Sequence, residues 1–281
     1  MSSGLNALRM ALAVAWRRPS VAAGYRPDWG QTGKDAVWVP TPASLLDDIL
    51  DMAHVAPGDR LLDLGAGDGR ILIGAALRGA DAIGVEFDRE LVRYARRRAR
   101  EAGVADRVRI RRADLFKVRL DGADVITFYL MPHLNLRLRP KLLALTPGTR
   151  LVSQSFGMGE WRPDAQVVRD GRQAYLWVVP AQAAGTWCLQ HDADDEPPVR
   201  LHLTQRFQYL EGAATQHARS LSLREGRLRG AGISFVLGRL GAGRWHYEGR
   251  VVGNTMCGTA LAADGRCHAW YARRLSRDQG S

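Results

Sequence analysis

Arg60-Leu61-Leu62-Asp63-Leu64-Gly65-Ala66-Gly67-Asp68-Gly69-Arg70 is the stretch whose reading decides the fold. Leu61, Leu62 and Leu64 make an apolar strand, and Gly65, Gly67 and Gly69 follow at alternate positions. Ile71 to Leu77 then continues at helical length. Glycine belongs where the backbone turns sharply or must approach a ligand, because it has no Cβ to clash. The spacing is GxGxG rather than the GxGxxG of dinucleotide-binding turns. Asp63 precedes the turn and Asp68 sits inside it. Two carboxylates there repel a pyrophosphate and suit a ligand carrying positive charge. Many α/β proteins share a glycine turn, so the turn gains its meaning only together with the residues downstream.

Beyond Leu77, strand and helix alternate. Asp81 to Glu86 reads as a strand ending in an acid, Asp88 to Ala102 as a helix and Val108 to Arg111 as a strand. Ala123 to Tyr129 is a strand, Asn135 to Leu145 a helix and Arg150 to Ser155 a strand. Alternation of this kind predicts a parallel, doubly wound sheet. Upstream, Ala43 to His54 has a helical pattern that Thr41 or Ser44 is placed to cap, and Pro57-Gly58-Asp59 turns the chain into the first strand. From about Pro180 the texture changes. Trp187 to Gln190, Arg200 to Tyr209, Arg219 to Leu223, Gly232 to Leu237, Trp245 to Val252, Cys257 to Ala260 and His268 to Arg273 are short segments, many with period-two alternation. Turns at Glu225-Gly226, Gly241-Ala242-Gly243 and Asp264-Gly265 separate them, and His191 to Pro198 is a polar loop. This predicts an antiparallel barrel or sandwich.

Three parts are therefore expected: an N-terminal helix and loop over 1–36, an α/β domain over 37–182, and a β-rich, barrel-like module over 183–281. Leu5, Leu8, Leu12 and Trp16 mark a short amphipathic helix stopped before Pro19. Arg9 lies against the short apolar run and no convincing cleavage site comes after it, which favours an N-terminal helix or membrane-surface anchor over an export signal. Val21 to Lys34 reads as loop.

The chain has 281 residues and a formal net charge of +11, which would attract acidic partners. Lys34, Lys117 and Lys141 are its only lysines, however, so the basic character is almost all arginine, as codon bias also produces. Arg93, Arg96, Arg97, Arg98 and Arg100 crowd one helix with only Tyr94 interleaved, which reads as a solvated face rather than a nucleic-acid stripe. Cys188, Cys257 and Cys267 lack paired spacing and point to incidental thiols rather than a metal site.

Glu86, at the end of the second strand, stands where open α/β sheets place a carboxylate against ribose hydroxyls. The segments VWVPTP (37–42), LLDLGAGDGRI (61–71), IGVEFD (83–88), DLF (114–116), FYLMP (128–132) and TPGTRLVSQSFGMGEW (146–161) together carry a more specific signal. Over about Val37 to Pro180 they resemble bacterial class I S-adenosylmethionine (SAM) methyltransferases. Less closely, they resemble the mitochondrial lysine methyltransferases acting on the ATP synthase c-subunit and the adenine nucleotide carrier. The fold implied is a Rossmann-like doubly wound methyltransferase sheet followed by a small all-β barrel-like module; the ending, from Ile233 to Gly258, looks like a lipocalin-like module appended to other bacterial proteins. By the same analogy Gln166 to Val168 and Ala174 to Val179 form the closing antiparallel hairpin.

The resemblance implies SAM as cofactor and S-adenosyl-L-homocysteine as product. It places Asp63, Gly65, Gly67, Asp68 and Gly69 at the glycine turn, Glu86 on the ribose, Asp114 on the adenine amino group, and Pro40 and Thr41 against the cofactor. Asp124, at the start of the fourth strand, matches a position that is often structural. Phe128 to Pro132 replaces the Asn/Asp-Pro-Pro-Tyr/Phe of amide and adenine methylases, which disfavours a DNA adenine or glutamine methylase, and nucleic acid is not the expected acceptor. Tyr129 is the candidate catalytic residue, packing against the sulfonium; a half-buried core tyrosine is the alternative. His133 is weighed as a general base and set aside as a lone loop histidine. The expected acceptor is a protein lysine or a small molecule, the alternative being a non-catalytic ligand-binding protein. SAM is made in the cytosol, so a cytoplasmic location is expected.

Overall fold

The computed structural model describes residues 38–192, 197–238 and 243–276. The expected helix at Met1 to Trp16, the loop at Val21 to Lys34, Val37, residues 193–196 of the polar loop and Gly241-Ala242 lie outside the described residues. The described chain divides into two compact units, 38–145 with Thr149–Trp177, and Thr146–Gly148 with 178–276.

The first unit opens with helix α1 (Ala43–Met52), which buries Leu45, Leu46, Ile49 and Leu50 on one face. Neither Thr41 nor Ser44 caps it. Pro42 holds the N-cap position without a side-chain bond. Next in the chain come β1 (Arg60–Leu64), α2 (Arg70–Leu77), β2 (Asp81–Glu86), α3 (Arg89–Glu101), β3 (Val108–Arg112), β4 (Val125–Phe128), α4 (Pro132–Leu143), β5 (Arg150–Gln154), β6 (Ala165–Arg169) and β7 (Arg172–Val178). Asp88 caps α3, its Oδ1 accepting from the Glu90 and Leu91 amides at 2.7 and 2.9 Å. Asp124 is structural, its Oδ2 accepting from the Arg60 amide at 2.9 Å.

The strands form one sheet in the order β3-β2-β1-β4-β5-β7-β6. β1 to β5 pair in parallel where neighbours, and the expected hairpin is present as antiparallel β6 and β7. Strand order reverses between β1 and β4. At such a switch point the loops leave in opposite directions and open a crevice at the carboxyl ends of the strands.

The second unit is a closed barrel of eight antiparallel strands, each paired with the next and the last with the first. They are β8 (Gly185–His191), β9 (Val199–Arg206), β10 (Tyr209–Gln216), β11 (Arg219–Arg229), β12 (Gly232–Gly238), β13 (Arg244–Val252), β14 (Thr255–Ala262) and β15 (Cys267–Ser276). Its interior is packed: Trp187, Leu189, Leu201, Leu203, Phe235, Tyr247 and Trp270 are all buried. Phe235 stacks on Tyr247 with centroids 4.7 Å apart, and Trp270 meets both edge-on. Gly249 makes room for this, since a Cβ there would stand 2.7 Å from the Trp270 ring.

Two expectations for this unit need correction. Glu225-Gly226 does not end a strand. It lies within β11 as an irregularity where register shifts between Arg224 and Arg227, with Glu225 at φ 55°. β10, most of which was absent from the expected strands, buries only Leu210 and Ala214, too few apolar residues to show an alternating pattern.

Candidate active site

The crevice at the carboxyl ends of β1, β2 and β4 holds an open pocket. Pro40, Thr41, Asp63, Gly65, Gly67, Asp68, Glu86, Asp114 and Tyr129 all line it. Gly69 does not. It caps the start of α2 at φ 77°, and a Cβ there would meet the Ala95 Cβ at 3.1 Å, so its smallness serves the contact with α3.

The glycine turn is held open by backbone conformation. Gly65 and Gly67 have φ of 84° and 53°, a region costly for other residues. The Trp38 indole lies over Gly67, 2.3 Å from where a Cβ would stand. Asp63 ends the buried face of β1 and is 5% exposed. The Thr127 hydroxyl donates to its Oδ1 at 2.7 Å. Burial nevertheless pushes its carboxyl up to about 7, the hydroxyl opposing and Glu86 and Asp68 adding to the rise.

Glu86 is tied into the turn it faces. Oε2 accepts from the Gly67 amide at 3.0 Å, and Oε1 from the Phe87 and Asp88 amides at 2.7 and 2.9 Å. Burial raises its carboxyl above the usual range and these three amides work against the rise. A carboxylate has about four lone-pair sites, so these bonds leave roughly one for a ligand hydroxyl. Asp114 follows β3, and its Oδ1 accepts from the Phe116 amide at 2.9 Å.

Asp68 is drawn the other way. Its Oδ2 pairs with Arg70 at 2.7 Å and also with Arg98, and Arg70 reaches the Thr41 carbonyl. Arg96 donates to the Ile110 carbonyl. The arginines of α3 are thus not all a solvated face: Arg96 and Arg98 knit the helix to β3 and the turn. His133 is exposed on α4, outside the pocket lining.

Tyr129 follows β4, half-buried, with its ring centroid 6.4 Å from that of Phe156. Parallel register pairs Leu64 with Phe128 and Phe128 with Ser153, which puts Gly65, Tyr129 and Gln154 in the next row. Thr127, Trp38 and Gln154 line the pocket but were not among the expected site residues. A polar residue interrupting an apolar strand at its carboxyl end was the available signal for Thr127 and Gln154.

These residues fit SAM. The fit rests on a buried carboxylate at Asp63 that suits a cationic group, a turn in the pocket wall whose Gly65 and Gly67 take positive φ, and acids at the ends of β1, β2 and β3. Sheet order, glycine turn and acidic crevice together define a class I SAM-dependent methyltransferase. The family model described as ANTKMT methyltransferase domain matches residues 63–165. A protein-lysine N-methyltransferase of Saccharolobus islandicus is 38% identical over 149 residues, spanning 50% of this chain and 92% of that protein. The lysine N-methyltransferase of the ATP synthase c-subunit from Mus musculus is 31% identical over 175 residues, 56% of this chain and 70% of that protein. Among solved structures, an RNA methyltransferase from Salinibacter ruber in complex with S-adenosyl-L-homocysteine is 47% identical. It superposes with a TM-score of 0.50 over 52% of this chain and 96% of that one. The chain belongs to the ANTKMT methyltransferase family, and its cofactor is SAM.

Proposed function

We propose that the chain methylates the side-chain amine of a lysine in a protein. Support comes from the lysine methyltransferases among its relatives. The observation that carries the reading is the wall beyond β4, where buried Phe128 and Leu130 flank half-buried Tyr129 and no Asn/Asp-Pro-Pro motif is present. Flat amide and adenine acceptors are the ones that motif serves; an alkyl amine needs an apolar passage instead. RNA is a weaker reading on this geometry. Of the α3 arginines, Arg93 pairs with Glu90 and Arg97 with Glu101, while Arg96 and Arg98 are engaged within the fold.

In this reading Asp63 faces the cationic amino acid end of SAM, the turn at Gly65 and Gly67 lies along it, Glu86 accepts from the ribose and Asp114 from the adenine amino group. Pro40 and Thr41 close the side above. SAM supplies a methyl group on a sulfonium, an electrophile strong enough to need no further activation. The protein's contribution is to place the amine in line, strip it of water and keep it neutral. A free lysine amine has a pKa near 10.4, so an apolar approach lined by Phe128, Tyr129 and Leu130 favours the uncharged, nucleophilic form. On this reading Tyr129, level with Gly65 at the end of β4, shields the sulfonium. Use of cytosolic SAM goes with a cytoplasmic site of action.

The test is incubation of the protein with methyl-labelled SAM and a cell extract separated afterwards into protein, RNA and small molecules. Label in protein, recovered as methyllysine on hydrolysis, is the expected result. Label confined to RNA or to small molecules would overturn the lysine reading.

A further inference from the structure

Gln154 is 2% exposed, and neither its Oε1 nor its Nε2 has a hydrogen-bond partner among the described residues. A buried amide with both ends unpaired is costly, so such groups are rare unless something outside the protein completes them. Its position says what that is. Gln154 ends β5 and lines the pocket on the same face as Val152, Thr127 and Asp63, in the row of Tyr129 and Gly65.

The backbone around it is held from both sides. Ser153 faces the opposite side of the sheet, where the Asn135 Nδ2 donates to its hydroxyl at 3.2 Å. The same Nδ2 donates to the Phe156 and Gly157 carbonyls, and the Ser153 hydroxyl to the Phe156 carbonyl at 2.6 Å. Ser155 takes φ 65°, and its amide donates to the Gln173 carbonyl at 2.8 Å. A left-handed serine beside an unpaired buried glutamine is local strain of the kind that collects at functional sites. The brace fixes where the amide points.

We propose that Gln154 is the residue that positions the acceptor amine, its Oε1 accepting an N–H of the incoming neutral lysine. The inference rests on the lysine reading above. With one N–H held by Gln154, the nitrogen lone pair is left to face the methyl group. The pair forms the new N–C bond, the S–C bond breaks with its electrons passing to sulfur, and the product is a methylammonium and neutral S-adenosyl-L-homocysteine. The ammonium then loses a proton to water before another round. A primary and a monomethylated amine each have an N–H to give; a neutral dimethylated amine has none. Gln154 therefore assists the first two transfers and leaves the third without its guide.

The experiment compares wild type with Gln154→Leu and Gln154→Glu, using methyl-labelled SAM and the protein fraction of cell extract, with mono-, di- and trimethyllysine measured after hydrolysis. For Gln154→Leu the expected results are SAM affinity and melting temperature unchanged or raised, and first and second transfers slowed about tenfold, as for one lost hydrogen bond. The third transfer keeps its rate, so the trimethylated share rises. Gln154→Glu should favour the charged amine and move the rising limb of the pH–rate profile to higher pH. Weakened SAM binding in Gln154→Leu would assign the amide to the cofactor and overturn the proposal. So would an unchanged product ratio, or a loss of stability with all transfers slowed alike, which marks a bridging water. Wild type leaving no methyllysine would instead end the lysine reading itself.

Discussion

The two units differ in where their buried polar groups gather: in the first, several line one pocket. In the parallel sheet, Asp63, Asp68, Thr127 and Gln154 are all buried at or beside the carboxyl edge, and two of the four are poorly satisfied there. In the barrel the interior is aromatic and aliphatic, and Trp270 donates its indole N–H to the Glu248 and Thr259 carbonyls at 3.1 Å. A core packed with aromatic and aliphatic side chains, its indole N–H groups bonded to backbone carbonyls, is stable without a ligand. A sheet edge that holds an uncompensated carboxylate and an unpaired amide is incomplete without a ligand. The barrel core is scaffold, and the binding chemistry sits at the sheet edge.

The barrel core carries the largest expected effect. Trp270→Ala removes a buried indole and should cost about 3–5 kcal/mol. Thermal melting should show the loss, and SAM binding below the transition should be kept. Loss of SAM binding together with the barrel would mean the units do not act separately.

Next is Gly67→Val. Its φ of 53° and the Trp38 indole over it leave no room for a branched side chain. SAM affinity by calorimetry should fall at least about a hundredfold, on the order of 3 kcal/mol. Glu86→Ala should weaken SAM binding by roughly 2–4 kcal/mol, since charge-assisted bonds are lost and three amides are left unpaired. Glu86→Gln, which keeps an acceptor oxygen but loses the charge, should lie between. Tyr129→Ala should lower kcat by about thirtyfold, roughly 2 kcal/mol, with a smaller change in SAM affinity. A fall in SAM affinity alone would make Tyr129 a cofactor contact and not a shield for the reacting centre.

The parallel sheet was legible in the sequence because its signals are local. Apolar strands, the glycines at 65 and 67 and the acid closing β2 each follow from their own neighbours. The barrel was legible as a class but less so strand by strand. A strand such as β10 is defined by pairing to β9 and β11, and only Leu210 and Ala214 among its residues mark an inner face. The bulge at Glu225 and Gly226 has the composition of a turn, and only the register across β10 and β12 distinguishes the two. In the site, the carboxylates were readable from type and position. Their partners were not: that Asp68 is taken up by Arg70 and Arg98, or that Gln154 goes unpaired, depends on residues brought together from distant parts of the chain.

The claim that the sheet edge is built for a cationic ligand is tested most directly at Asp63. Its carboxyl is raised to about 7 by burial, so in the free protein it is largely protonated below neutrality. The raised value means its contribution to stability is fully present in acid, below the ordinary aspartate pKa, and is lost as pH rises through about 7. A cation bound beside it favours the ionised form, so binding expels the proton. Calorimetric titration of SAM near pH 6 and near pH 7, where its α-amino group stays charged, should show about fivefold tighter binding at the higher pH, with about one proton released at the lower. Asp63→Asn should bind more weakly and lose this pH dependence. Equal wild-type affinity at both pH values, with no proton released, would contradict the account.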